Sequence, residues 1–432
     1  MRATAIQEHL RQNLRSEMQT ARMRSDEIFS LLRHDSLFER PIAERHRLVF
    51  YLGHLETFDW NLICASLFGM KSVNPEFDRL FAFGIDPTNG SLPNDGAADW
   101  PREPEIRSYN ERVRAAVDSC FDRAADPGLF HVAMEHRLMH VETLAYLLHG
   151  LPFSMKQSMG TLMPAASKPV TPRLVRVPDG IATLGLERRF ATFGWDNEFD
   201  AHAVPVPGFE IDAYKVTNDQ FLEFVRAGGY EERSFWNASA WEWITAAGIR
   251  HPKFWKPVAG GWQCRTMFED VAFQPDWPVY VSHAEAEAYS RWKGKALPTE
   301  AQYHRAAFGT PNGSERPYPW GDASPQSHHG NFNFHRWDPT PVNAHPAGNS
   351  AFGVADLLGN GWEWTSTVFA PFPGFEPFPF YPGYSADFFD GNHYVMKGAS
   401  PRTSALLLRR SFRNWFQPRY PHIYASFRCV QS

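Results

Sequence analysis

The chain has 432 residues, 43% hydrophobic and 15% aromatic, with a formal net charge of -5 from 43 basic and 48 acidic side chains. That length allows two or three domains and a sizeable core, while mixed charge without a polybasic run argues against nucleic acid and anionic membrane as partners. Cys64, Cys120, Cys264 and Cys429 form no CxxC pair, no run of about 18 apolar residues is present, and the opening residues lack the apolar core of a signal peptide. A disulfide framework, a cysteine zinc site and a membrane span are therefore not expected, and a reducing cytoplasm is.

Residues 4–33 place Ile6, Leu10, Leu14, Met18, Met23, Ile28, Leu31 and Leu32 at helical spacing among charges, which predicts an amphipathic helix. After a break near Pro41, residues 47–68 repeat the pattern through Val49, Leu52, Leu55, Phe58, Leu62 and Leu67, with His54 on or beside that stripe. Residues 71–102 are rich in Pro, Gly, Asn and Asp and read as a long loop. Helical periodicity returns over 106–124 and 130–148. Four helices with one long connection predict a four-helix bundle over residues 1–150, in whose core side chains from facing helices can meet a metal ion.

The last predicted helix carries His136 and His140 one turn apart. At about 100° per residue they share a face, the spacing with which a helix holds one ion between two imidazoles. Such pairs also arise by chance in a chain with 18 His. The surrounding Leu138, Val141, Leu144, Ala145, Leu147 and Leu148 mark a buried helix, however, where an imidazole needs a partner. Glu142 lies well round the helix from both and reads as a supporting or packing residue. A further ligand must come from elsewhere.

Residues 151–173 carry Pro, Ser and Met and read as a linker. From 174 to 432 the pattern changes to short strand-like pieces between turn residues, with brief helices at 218–227 and 284–293. Fifteen Trp and 34 Pro suit an irregular domain pinned by rings. The expected fold class is multidomain, α followed by α+β.

Leu297-Pro298-Thr299-Glu300-Ala301-Gln302, Tyr318-Pro319-Trp320-Gly321, Gly359-Asn360-Gly361-Trp362-Glu363-Trp364, Lys397-Gly398-Ala399-Ser400 and the closing Phe427-Arg428 together resemble the formylglycine-generating-enzyme or sulfatase-modifying-factor fold, which is C-type-lectin-like. In that resemblance these phrases are structural: Thr299 and Glu300 start a helix, and Trp362 and Trp364 are core. The cysteine pair of formylglycine-generating enzymes is not matched, since only Cys429 lies near the end. The first 150 residues resemble the DinB-like bundles.

The order of the two parts, with His136-x3-His140-x-Glu142 in the first, resembles the ergothioneine-type sulfoxide synthases, iron(II)- and O2-dependent enzymes that join a chalcogen to the imidazole of hercynine, which is trimethylhistidine. That resemblance implies Fe(2+) held by His54, His136 and His140, and three neutral imidazoles without a carboxylate leave open positions for oxygen and an anionic chalcogen. It implies hercynine contacts at Arg413, Asn414 and Trp415, where Trp415 suits a trimethylammonium by cation–π attraction and Asn414 a hydrogen bond. The alternative reading of Trp415 is one more core ring.

Two phrases depart from that family. It commonly places an acidic tyrosine in an Asn-Ser-Tyr-Tyr phrase of the long loop or in a later aromatic-Pro-Gly segment, but the matching stretches here run Leu80-Phe81-Ala82-Phe83-Gly84-Ile85-Asp86 and Phe369-Ala370-Pro371-Phe372-Pro373-Gly374-Phe375. Met139 stands where Gln is common, just before the second motif His. Either Tyr381 or Tyr384 supplies the proton, or the donor is a selenol, which arrives already ionised where a thiol of pKa near 8.5 does not. The stretches 80–87 and 50–62 are most similar to the selenoneine synthase branch, which joins a selenosugar to hercynine, and Phe372, Phe375, Phe378, Phe380 and Tyr381 suit a pyranose face or a core. The alternatives left open are a sulfur branch using cysteine or γ-glutamylcysteine, a zinc-dependent DinB thiol transferase, and a non-enzymatic binding module.

Overall fold

Apolar stripes at helical spacing fold the first part of the chain into helices, and the short ring-rich pieces that follow fold into small sheets. The computed structural model describes residues 2–33, 36–82, 95–124, 128–158, 169–189 and 191–431, with side chains from residue 11 onward. The chain divides into two units, Met1–Thr161 and Leu162–Ser432. Among the described residues no helix is long and apolar enough to cross a membrane.

In the first unit α1 spans Arg2–Ser30, α2 Leu48–Asp59, α3 Pro75–Leu80, α4 Glu103–Phe121 and α5 Gly128–Gly150. α1 lies on α5, and α2 lies on α4 and α5. The single helix expected over 47–68 changes character after Asp59, continuing as a π-helical segment, Trp60–Leu67; such widened turns recur beside functional sites. α4 starts ahead of its predicted position because Pro104 suits a first turn and the Glu105 carboxylate accepts the Arg102 backbone N–H.

The long loop expected over 71–102 contains α3. Asn74 Oδ1 accepts the backbone N–H groups of Glu76 and Phe77, and Pro75 enters the first turn with its φ already suitable. α5 is covered on nearly every side: Phe130, Leu138, Val141, Leu144 and Leu147 are at most 2% exposed. A helix apolar all round must be central, and each such side chain contributes about 1.5–3 kcal/mol by leaving water. The His pair on α5 is enclosed as a consequence.

The second unit runs β1 Leu174–Val177, β2 Gly180–Leu184, β3 His202–Val206, β4 Phe209–Asp212, α6 Asn218–Arg226, α7 Ala238–Ala246, β5 Trp255–Val258, β6 Gly261–Arg265 and β7 Asp270–Ala272. It continues through α8 His283–Trp292, α9 Glu300–Phe308, β8 Gly361–Val368, α10 Gly383–Ala386, β9 Tyr394–Ala399, β10 Asn414–Phe416, β11 Ala425–Ser426 and β12 Val430–Gln431. The central sheet is ordered β10-β9-β8-β11, with Trp362 of β8 opposite Gly398 of β9 and β11 parallel to β8. β4 pairs with both β1 and β12, β2 pairs with β3, and β5, β6 and β7 form a separate meander.

Sheets this short are tied together by a buried ionic node. Glu363 of β8 accepts from Lys215 Nζ at 2.7 Å and from Arg428 Nε and Nη2 at 2.6 and 2.8 Å, and Arg428 also donates to the carbonyls of Asp212, Ala213 and Ala355. Gly361 has φ +132°, and a Cβ there would meet the Tyr280 ring at 2.8 Å, so only glycine fits. Thr299 caps α9 in a reciprocal box with Gln302. Trp362 and Trp364 are core rings, Trp364 Nε1 donating to the Val281 carbonyl.

Candidate metal centre

His54 comes from α2 and His136 and His140 from α5, all three at most 4% exposed. One ring nitrogen from each lies within 4.8 Å of the other two, and no other such group of three potential ligands occurs among the described residues. The one-turn spacing read from the sequence brings the Nε2 atoms of His136 and His140 to 3.1 Å. That is the separation of two imidazole nitrogens each about 2.1 Å from one ion at close to a right angle.

Protonation is set by burial and neighbours. Burial pushes His54 down to about 4, partly offset by its bond to the Phe81 carbonyl, with the charges of His46 and Arg137 lowering it further. Burial likewise holds His136 and His140 well below the ordinary imidazole value, and the neighbouring imidazoles add to it. All three are neutral at pH 7, the form that binds metal. His54 Nδ1 donates to the Phe81 carbonyl at 2.7 Å, which leaves its Nε2 lone pair for the cluster. The Nδ1 atoms of His136 and His140 are buried without a hydrogen-bond partner among the described residues. The converging Nε2 lone pairs of His136 and His140 cannot satisfy one another, whereas a divalent cation at their centre satisfies them together, with the protons then on Nδ1.

Rings hold these imidazoles in place. Phe58 stacks on His136 with centroids 3.5 Å apart and planes 12° apart, Phe50 stacks on His54 at 4.8 Å and 22°, and Tyr51 lies 5.7 Å from His140. Beside them Arg137 of α5 donates to Glu56 Oε2 and Asp59 Oδ2 of α2, both at 2.7 Å, and to the Leu55 carbonyl. Arg114 of α4 reaches Glu56 Oε1 at 2.8 Å and Asp26 of α1. Burial alone would raise Glu56, but the charges and hydrogen bonds of Arg137 and Arg114 outweigh it and hold the carboxyl at about 2. This clamp fixes the register of α2 against α5, and so of His54 against the pair. Sequence reading missed it, along with the stacking of Phe58 on His136 and the Phe81 carbonyl.

Met139 sits half-buried on α5 just before His140, its carbonyl accepting from Thr143 Oγ1. Phe83 lies outside the described residues, as does the rest of its phrase to Asp86. In the second unit, Arg413 is 3% exposed; its Nε donates to Glu300 at 3.1 Å, its Nη1 to the carbonyls of Asn197 and Ala370, and its guanidinium covers the Phe372 ring at 4.0 Å. It braces the segments around it. Phe372 belongs to the main core of this unit.

Asn414 Oδ1 accepts the Trp415 backbone N–H. Trp415, half-buried on β10, stacks on Phe369 at 4.2 Å and 7° and meets the edge of Tyr384 at 5.5 Å. Tyr384 stacks on Trp195 at 4.0 Å, with Tyr381 5.4 Å away. The second unit thus gathers Tyr381, Tyr384, Trp415 and Phe369 into one aromatic cluster, with the Arg413 guanidinium lying over both Phe369 and Phe372.

Residues 159–432 match the Sulfatase-modifying factor enzyme 1-like domain family. The chain is 38% identical to a protein of Mycolicibacterium thermoresistibile named Hercynine oxygenase, over 75% of this chain and 74% of that one. A protein of the same name from Mycolicibacterium smegmatis is 33% identical over 91% of this chain and 94% of its own. Ergothioneine biosynthesis protein 1 of Neurospora crassa is 27% identical over 93% of this chain, which spans 55% of that longer protein. The chain therefore belongs to the ergothioneine-type family of the hercynine oxygenases and carries a sulfatase-modifying factor enzyme 1-like domain.

Proposed function

We propose that this chain is a non-heme iron(II), O2-dependent enzyme that joins selenium from a selenosugar to hercynine, a selenoneine synthase. The observation that carries the metal reading is the buried, neutral, all-imidazole triad of His54, His136 and His140. Three such ligands would hold an ion and leave positions for small molecules, and their low basicity keeps protons from competing at neutral pH. The relatives named for hercynine support the substrate. In this reading residues 1–150 form a DinB-like bundle that holds the ion, 151–173 link, and 174–432 recognise hercynine.

When bound, iron(II) would supply the activation of dioxygen as the oxidant: the imidazole C–H and the selenol Se–H give way to a C–Se bond, the two hydrogens leave with one oxygen atom as water, and the other oxygen atom ends on selenium. The residues do the rest. Trp415, held flat by Phe369, attracts the trimethylammonium through its ring face, and Asn414 orients the amino acid by hydrogen bonding. Phe58, Phe50 and Tyr51 keep the ligand imidazoles dry and fixed. Phe83 and Met139 replace polar groups in the family's pattern, which suits a donor that arrives ionised.

A second reading rests on one observation: the Tyr384 ring, with Tyr381 beside it, lies edge-on to Trp415. The sulfur branch uses a tyrosine as the acid toward oxygen, and a phenol there suits that role, which favours cysteine or γ-glutamylcysteine as the donor. The deciding experiment supplies anaerobically reconstituted protein with hercynine, O2 and either a selenosugar or a thiol, and reads products by mass spectrometry. A hercynine–selenium adduct supports the first reading; turnover of the thiol alone supports the second. No consumption of hercynine with either donor removes both.

A further inference from the structure

Gly53 precedes the ligand His54 on α2 and is the residue on which Phe81 rests. A Cβ at Gly53 would lie 2.5 Å from Cγ and Cδ2 of the Phe81 ring and 2.6 Å from Cδ1, a distance that real side chains do not sustain. Phe81 is fully buried, stacked on Trp100 at 5.9 Å and 28° and set against the edge of Phe77 at 5.5 Å. Phe77 in turn packs on Tyr109, whose hydroxyl donates to Asp78 of α3 at 2.7 Å. The end of α3 is therefore held from several sides, and the carbonyl of Phe81, the residue that caps it, accepts the Nδ1–H of His54.

We propose that Gly53 and Phe81 are positioning residues for the metal ion: the missing side chain at 53 lets Phe81 sit flat on α2, and that seat places the carbonyl that sets the tautomer and ring direction of His54. His54 differs from His136 and His140 in this respect. The latter two share a helix and need no outside anchor to face the same way, whereas His54 must be aimed from another element. A ligand oriented by a fixed carbonyl binds more tightly than one left to rotate, and loss of such a partner costs about 10- to 100-fold in metal affinity. The inference rests on the metal-site reading above, but the His54 tautomer can be read without any metal.

The test uses the full chain with Gly53→Ala, Phe81→Leu and the double variant. Nitrogen-15-labelled imidazoles are read by NMR in metal-free protein, and cobalt(II) affinity is read by absorption. In the parent, His54 carries its proton on Nδ1. Gly53→Ala is expected to lose that single-tautomer signature, leave those of His136 and His140 unchanged, and weaken cobalt(II) binding about 10- to 100-fold. Adding Phe81→Leu removes the ring that the new methyl strikes, so the double variant recovers most of the tautomer signature and affinity. Phe81→Leu alone, retaining the carbonyl, is expected to lose less than Gly53→Ala.

If Gly53→Ala retains the His54 Nδ1 proton and the parent affinity, the inference is overturned. Should Gly53→Ala fail to fold, the double variant still decides: recovery of the His54 signature supports the seat, and a folded double variant without it overturns it. A parent that binds no cobalt(II) while His54 shows the fixed Nδ1 proton rejects the metal reading and leaves the seat itself standing as packing alone.

Discussion

Arg137→Leu tests the clamp that aligns the ligand helices. The substitution leaves Asp59, with a side chain 0% exposed, without its ion-pair partner, and Glu56, 1% exposed, with Arg114 alone. At an effective dielectric near 20, each 2.7 Å contact supplies about 6 kcal/mol of attraction before desolvation. What the variant exposes is the desolvation left uncompensated, and removing one partner of a buried pair costs about 3–5 kcal/mol. Urea unfolding of the metal-free protein, followed by far-ultraviolet circular dichroism, reads that loss in the helical unit. A triple variant, Arg137→Met with Glu56→Leu and Asp59→Leu, is expected to recover most of it, because an apolar cluster of similar volume needs no partners. A single variant within about 1 kcal/mol of the parent, as for a surface pair, refutes the reasoning.

Trp415→Leu is expected to weaken hercynine binding by calorimetry about 2- to 30-fold, the range of one cation–π contact, without changing metal content; undiminished affinity removes Trp415 from substrate recognition. Thr299→Ala removes the α9 cap and should cost about 1 kcal/mol in denaturant unfolding, with Thr299→Ser close to the parent. His283 gives a pH dependence. Burial, partly offset by its bond to the Thr365 carbonyl and reinforced by Arg291, lowers it to about 3. The unfolded chain takes up that proton near pH 6.5, so the stabilising difference is complete above about pH 6.5 and falls as pH drops toward 3, by up to about 1.4 kcal/mol per pH unit. His283→Gln should flatten the acid limb of the urea midpoint; an unchanged limb assigns it to other groups.

The helical spacing of His136 and His140 was legible because both ligands belong to one element, and periodicity within an element is local. His54 was reachable only through family resemblance. Nothing in its own neighbourhood says that α2 packs on α5 at that register; Arg137 says it, from about eighty residues away, by pairing with Glu56 and Asp59. That a charged residue falls in the apolar helix beside His136 was a visible signal for such a clamp. α3 was also announced, by Asn74-Pro75-Glu76, a cap followed by a proline suited to the first turn, within a stretch whose composition reads as loop. The Phe81 carbonyl had no signature, since any residue supplies one, and the stacking of Phe58 on His136 depends on a ring direction that spacing does not determine. In the second unit, Thr299 and the Gly359–Trp364 phrase disclosed their structural roles, while the brace of Arg413 on Glu300 joins residues more than a hundred apart.

The most direct measurement is the iron content of the full chain after anaerobic loading with iron(II) and removal of the excess, set beside His54→Ala, His136→Ala and His140→Ala. One equivalent in the parent and a loss of tightly held iron in each variant is the expected result, with circular dichroism unchanged. Iron retained in full after replacement of His136 or His140, or no iron in a folded parent, contradicts a metal centre built on these three imidazoles.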